Sequence, residues 1–242
     1  MHILEVKRVT QCFGQLAAVS DLSFEVERGE VFGIAGPNGA GKSTLFNMIT
    51  GYYRYSGEIL LDNVKISGLR PHQVCHNGIA RTFQVPELFL TLTVFENLKI
   101  AAHFGSPLHG ARDEERVIKG VIELLGLLGK EKVITTNLGL YDKKLTMMGV
   151  ALATRPKLLL VDEPTAGLSP TEIKQSMDLI QKVNKGSGLT IIIIEHLMKV
   201  LTTLCQRLLI MESGQRIALG PPEEVCRNEK VIEIYLGKEK HA

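Results

Sequence analysis

The sequence predicts an α/β fold: a mostly parallel sheet, an antiparallel β region at the N-terminal end, and an α-helical lobe inserted part-way. Three observations predict it. The apolar segments at residues 31–35, 158–161 and 189–194 have the continuous hydrophobicity of strands buried on both faces. Segments with helical spacing separate them, which is the alternation that covers a parallel sheet. A glycine-rich turn follows the first of these strands and leads into a helix.

The elements follow in order. Leu4, Val6 and Val9 fall near one face of a strand, and Leu22, Phe24 and Val26 alternate with polar neighbours. Arg28-Gly29-Glu30 is a turn before the buried strand at 31–35. A helix is expected over 43–50 and a hairpin over 57–66, turning at Asp62-Asn63. Residues 71–78 read as a short helix. From about Pro86 to Gly149 the pattern becomes helical, at 94–102 and 112–128, with Asp113-Glu114-Glu115 suited to a helix start and a loop at 105–110. Sheet signals return with 158–161, which runs into Asp162-Glu163-Pro164. A helix over 170–185, with Ile173, Met177 and Ile180 on one face, leads to the strand at 189–194. A helix over 196–205 and strands at 208–211 and 216–219 follow. The expected organisation is one domain over 1–242. Its core is 1–84 with 155–220, its helical lobe 85–154, and its C-terminal helix 221–242.

Composition narrows the function classes. The 242 residues are 45% hydrophobic and 22% charged, the balance of a globular chain with a real core. A net charge of +2 is too small to argue for a nucleic-acid partner. Met1-His2-Ile3-Leu4-Glu5 reaches an acidic residue at once, so no signal peptide is expected. The apolar run at 191–194 is far short of the roughly 20 residues that span a bilayer. The chain is therefore expected to be soluble by itself, with any membrane role coming through a partner. Cys12, Cys75, Cys205 and Cys226 lie far apart without metal or redox spacing, and are expected to be reduced thiols with packing roles.

The run Gly36-Pro37-Asn38-Gly39-Ala40-Gly41-Lys42-Ser43-Thr44 fits G-x-x-x-x-G-K-S, placed between a strand and a helix as that motif requires. Glycines let several backbone N–H groups turn inward toward phosphate oxygens. The helix N-terminus adds positive potential. Lys42 would reach the β- and γ-phosphates, and Ser43 would offer its hydroxyl to Mg2+. The expected fold is therefore that of a P-loop NTPase of the RecA-like kind, with ATP and Mg2+ as the expected ligand. The strand ending in Asp162 would place a metal-holding carboxylate at the carboxyl edge of the sheet. Glu163 could orient or deprotonate a water at the γ-phosphate. His196 could donate to the γ-phosphate, although a histidine after a strand is more often structural. Gln84, where the core gives way to the lobe, could bridge the metal or the attacking water to that lobe.

Taken together, these residues resemble the ATP-binding cassette family over nearly the whole chain. The resemblance reads residues 36–44 as Walker A, 158–163 as Walker B with its catalytic glutamate, Arg81-Thr82-Phe83-Gln84 as the Q-loop and His196 as the switch histidine. Phe13 sits where the family stacks an aromatic ring on adenine; core packing is the other reading. A finer similarity, to the ATP-binding subunits of branched-chain amino-acid importers, rests on three runs and a tail. The runs are Ala80-Arg81-Thr82-Phe83-Gln84, Thr93-Val94-Phe95-Glu96-Asn97-Leu98 and Asp162-Glu163-Pro164-Thr165-Ala166-Gly167-Leu168, and the tail extends from Gly220-Pro221-Pro222 to Tyr235-Leu236-Gly237. The resemblance implies an ATPase on the cytoplasmic face of the inner membrane that pairs with a second cassette and with permease subunits. Two cassettes would close around two ATP molecules, each ATP held by one chain's Walker A and the other chain's signature.

The signature itself departs from the family pattern. Where the family has Leu-Ser-Gly-Gly-Gln, this chain has Leu138-Gly139-Leu140-Tyr141-Asp142. Tyr141 puts bulk where a glycine admits close approach, and Asp142 adds negative charge, unless it caps the following helix. A heterodimer with a partner carrying an intact signature is favoured over a homodimer; the alternative is that the variant segment still works. After Leu168 the family often has aspartate, whereas Ser169-Pro170 stands here. A soluble cassette switch without a membrane partner is the competing function class. A GTPase is disfavoured because Asn184-Lys185-Gly186-Ser187 lacks the guanine-reading aspartate.

Overall fold

The computed structural model describes residues 1–105 and 111–236, with backbone only for 111, 112 and 236. The expected loop beyond Gly105 and the last six residues of the expected C-terminal helix lie outside the described residues. By internal contacts the chain divides into two compact units, Met1–Pro71 with Thr190–Ala242, and His72–Leu189.

In the first unit, β1 (His2–Phe13) pairs antiparallel with β2 (Leu16–Glu27) and with β4 (Ser56–Leu61), and β4 turns into β5 (Val64–Lys65). This is the antiparallel region that the alternating pattern predicted. Its buried face carries Leu4, Val6 and Val9 with Leu22, Phe24 and Val26. Asp62 and Asn63 both have positive φ, 50 and 62, the conformation a two-residue hairpin turn needs. A register shift falls between Val6 and Val9, where Arg8 has φ 48.

The parallel strands are β3 (Val31–Ala35), β8 (Thr190–Ile194) and β9 (Arg207–Glu212). β3 lies between the other two and pairs parallel with both. Every residue of β3 and β8 is buried, which is why their sequences do not alternate. β10 (Gln215–Gly220) closes this edge antiparallel to β9. The Phe24 and Phe32 rings stack with centroids 5.5 Å apart. Helix α1 (Lys42–Ile49) follows β3; α7 (Met198–Leu204), α8 (Pro222–Val225) and α9 (Glu229–Leu236) complete the unit. His196 and Leu197 precede α7 rather than belonging to it. The tail is two short helices, broken at Cys226–Asn228, in place of the single helix expected.

In the second unit, β6 (Ile79–Arg81) pairs parallel with β7 (Leu158–Asp162). It also holds α2 (Pro71–Asn77, starting at the boundary), α3 (Val94–Phe104), α4 (Ala111–Leu125), α5 (Leu140–Ala153) and α6 (Pro170–Ser187). α3, α4 and α5 pack on one another. Gly149 permits this approach: a Cβ there would sit 3.0 Å from Leu125 and 3.3 Å from Leu98 and Val121. α3 begins with a capping box in which Thr93 and Glu96 satisfy each other's backbone amides. α4 stops before Gly126, at φ 68, three residues sooner than the apolar spacing suggested. In α6 the apolar side is anchored by buried Ile180 and Val183, with Ile173 and Met177 half-buried beside them.

The cysteines do not share one role. Cys205 is buried and Cys75 half-buried, but Cys12 and Cys226 are exposed and have no packing role. All four are free thiols. Among the described residues no helix is long and apolar enough to cross a membrane.

Candidate functional site

The phosphate-type loop lies in the first unit, between β3 and α1. Gly36, Gly39 and Gly41 have φ 148, 80 and 98. Two of these glycines are also demanded by close approach. A Cβ at Gly36 would run into the Met211 carbonyl, and one at Gly41 into the Ala18 carbonyl. The loop is thus pressed against β9 and β2 and cannot be widened by side chains there. Gly41 is the N-cap of α1 and carries no capping side chain, so the first amides of α1 are left to an external acceptor. Asn38 and Gly39 are exposed at the tip, Ala40 is buried beneath it, Ser43 is exposed and Thr44 half-buried.

Lys42 is only 6% exposed, which is unusual for lysine and marks a built position. Its Nζ donates to the Gly36 carbonyl at 2.7 Å and the Pro37 carbonyl at 2.9 Å. The β9–β10 turn braces the loop from outside: Gly214 N–H donates to the Ala40 carbonyl at 3.1 Å, and Ser20 N–H to the Gly214 carbonyl at 2.9 Å. No sequence motif pointed to this brace. In the structure Ser213 and Gly214 both have positive φ, 48 and 78, which turns the Gly214 amide toward the loop.

Phe13 is 46% exposed at the end of β1, which removes the core-packing reading. Its ring meets Tyr53 edge-on, with centroids 5.3 Å apart. His196 is exposed, two residues beyond β8, and its backbone N–H donates to the buried Glu195 carboxylate at 3.0 Å.

The second unit assembles the carboxylates. Asp162 ends β7, and its Oδ2 accepts from Arg81 Nη2 at 2.7 Å. Glu163 has φ 45, left-handed backbone that costs a non-glycine residue about 1–2 kcal/mol. Its Oε2 accepts from Gln84 Nε2 at 2.7 Å, and its carbonyl accepts from Lys144 Nζ at 3.0 Å. Gln84 is therefore tied to the carboxylate beside the one expected to hold metal. Asp162 N–H points to the Thr82 hydroxyl at 3.4 Å. The run 81–84 thus reaches both acidic residues. Sequence alone marks Arg81 only as a member of the 81–84 run, and neither it nor Lys144 is expected from it to hold an acidic residue, since neither belongs to a metal or base motif.

The variant signature opens α5. Gly139 is its N-cap and offers no side-chain cap. Asp142 lies in the first turn, not at the cap as its sequence position allowed, and both of its carboxylate oxygens accept from Lys130 Nζ at 2.7 Å. Ser169, which stands in place of the usual aspartate, is the N-cap of α6 and forms a capping box with Glu172.

A family model described as ABC transporter matches residues 19–166. The chain belongs to the ABC transporter family. A second model, the branched-chain amino acid ATP-binding cassette transporter, matches residues 215–241 of this cassette. The cassette is 34% identical to the high-affinity branched-chain amino acid transport ATP-binding protein LivG of Salmonella typhimurium, over 98% of each chain. It is equally identical, with the same coverage, to BraF of Pseudomonas aeruginosa, which carries the same description. Among solved structures it is similar to the ADP conformation of MJ1267, an ATP-binding cassette of an ABC transporter. That likeness has a TM-score of 0.89 at 33% identity and covers 98% of this chain and 100% of the other. The nucleotide-free form of an ATP-binding cassette gives 0.87 at 31% identity, with the same coverage.

Proposed function

We propose that this ABC ATPase subunit binds ATP with Mg2+ and powers the import of branched-chain or other hydrophobic amino acids through permease subunits. The observation that carries the nucleotide reading is the braced glycine loop with the buried Lys42 and an uncapped helix start behind it. The solute reading is supported by the names of the full-length relatives and by the match at 215–241.

The residues have the following roles in this reading. Backbone amides at Gly36, Asn38, Gly39, Ala40 and Gly41 hold phosphate oxygens, with Lys42 and Thr44 beside them, and Phe13 stacks on adenine. Mg2+ takes only one or two protein oxygens and completes its shell with phosphate and water, and the Ser43 hydroxyl and the Asp162 carboxylate are each an oxygen donor of the kind it takes. When bound, the ion offsets charge on the β- and γ-phosphates. Glu163 is the base for the attacking water, and Gln84 holds that carboxylate in place. His196 senses the γ-phosphate. The core at 1–84 with 155–220 carries this chemistry, and the lobe at 85–154 transmits it.

The permease would dock in the second unit, in a cavity of about 610 Å³ lined by His72, His76, Phe89, Leu90 and Phe104, close in sequence to Gln84. Phe89 and Phe104 are 58% and 70% exposed, which suits an apolar partner segment. The cassette would thereby lie peripherally on the cytoplasmic face of the inner membrane.

The second cassette is proposed to be a different chain. A signature built of Leu140, Tyr141 and an Asp142 already held by Lys130 offers no serine hydroxyl and fewer bare amides to a partner's γ-phosphate. Co-purification with permease subunits, followed by sizing of the Glu163→Gln chain with ATP alone and with a second cassette, tests the proposal. Permease capture and a dimer formed only with the second cassette are expected. An ATP-locked homodimer of equal tightness would contradict the asymmetry, and failure to associate with any permease would contradict the transport role.

A further inference from the structure

We infer that Arg81 is a positioning residue for the metal aspartate: its buried ion pair with Asp162 Oδ2 keeps bare divalent cations off that carboxylate and lets a cation on only together with nucleotide phosphate. The inference rests on the reading of Asp162 as the magnesium residue.

The geometry begins with strand pairing. β6 and β7 run parallel with Arg81 opposite Leu160, so the last side chain of the shorter strand reaches the carboxylate two residues further on. Only 8% of the Arg81 side chain and 7% of the Asp162 side chain is exposed. At that burial the pair is little screened by water or salt. The guanidinium also lies over the Phe83 ring, with Cζ 4.9 Å from its centroid. Thr82 meets the Asp162 backbone amide, so consecutive residues fix both the main chain and the side chain of the aspartate.

A bare cation approaching Asp162 meets a full positive charge already bonded to one of its two oxygens. It must either separate a buried ion pair, which is costly, or sit beside the guanidinium. A cation carried on a triphosphate brings several negative charges that offset the same guanidinium. Arg81 thereby makes occupancy of the metal position conditional on nucleotide, which guards a strained, partly buried catalytic carboxylate next door from idle metal binding.

The test is titration of the full chain with Mn2+, read by electron paramagnetic resonance, without nucleotide and then with ATP. Arg81→Gln should bind Mn2+ without nucleotide about tenfold more tightly than the wild type, the ratio that one charge-assisted contact is worth. Arg81→Lys, which keeps the charge, should stay within about threefold. Adding Asp162→Asn to Arg81→Gln should remove the gain. Equal affinities for wild type and Arg81→Gln, or a gain that survives Asp162→Asn, would overturn the inference. Should Arg81→Gln not fold, Asp162→Asn alone carries the test. It should leave nucleotide-free Mn2+ affinity unchanged, because Arg81 already suppresses that carboxylate; a clear loss would overturn the role of Arg81. With ATP present the same variant should weaken Mn2+ binding, and no change there would instead sink the assignment of Asp162 to the metal.

Discussion

Replacing Gly41 with alanine should disable the phosphate loop, and the size of the effect can be worked from its surroundings. Gly41 has φ 98 and ψ 2, so any L-residue there costs about 1–2 kcal/mol in backbone strain. The new Cβ would also run into the Ala18 carbonyl and lie 3.4 Å from Val19 Cγ2, so the loop must lift off β2. Amides that move by even part of an ångström lose their aim at phosphate. One charge-assisted hydrogen bond is worth about 1.5–3 kcal/mol, so ATP affinity should fall about 10–100-fold. Gly68 is the control: its φ is 83, but a Cβ there meets nothing within 4 Å. Gly68→Ala should lower Tm by about 2–8 °C from the same backbone cost and leave ATP affinity unchanged. Gly41→Ala should lower both. Calorimetric titration with ATP and thermal melts of the two variants decide it. Wild-type affinity in Gly41→Ala, or an equal affinity loss in Gly68→Ala, would refute the reasoning.

Glu163→Gln should keep ATP binding and slow turnover by about 10²-fold or more, and near-normal turnover would place the base elsewhere. A thiol reagent at pH 8 should label Cys12 and Cys226 quickly and Cys205 only on unfolding, since burial pushes the Cys205 thiol well above its usual range. Rapid labelling of Cys205 in the native chain would count against its packed position. The Ser169 hydroxyl and backbone amide hold the Glu172 carboxyl below its ordinary value of 4.5. The stability it adds is therefore present above that value and is lost as pH falls through the lowered one. The stability gap between wild type and Glu172→Gln should shrink on acidification from pH 7, and a gap independent of pH would contradict the capping box.

Much of this fold was legible because its signals are local. The wholly buried strands β3, β7 and β8, the Asp62-Asn63 turn and the glycine loop are each set by a short run of residues with one physical demand. β6 was not legible as a strand: Ile79-Ala80-Arg81 is too short for a period, and its extension comes from pairing with β7. The start of α5 was obscured for the opposite reason, since the resemblance drew attention to what its residues lack. At the site, the loop and the Asp162-Glu163 pair could be read from spacing. The tie of Gln84 to Glu163, the hold of Arg81 on Asp162 and the brace from Gly214 could not, because each joins residues more than 70 positions apart or depends on a turn's handedness. Asp142 shows the limit from the other side: its charge looked disruptive in sequence, and Lys130 answers it in space.

ATP titration of wild type against Lys42→Ala addresses the nucleotide reading most directly. Lys42 is a buried ammonium turned into the loop by the Gly36 and Pro37 carbonyls, and its removal should weaken ATP binding by at least about tenfold, with the fold intact by circular dichroism. Undiminished ATP affinity in that variant would mean that the triphosphate is held somewhere other than the loop at 36–44.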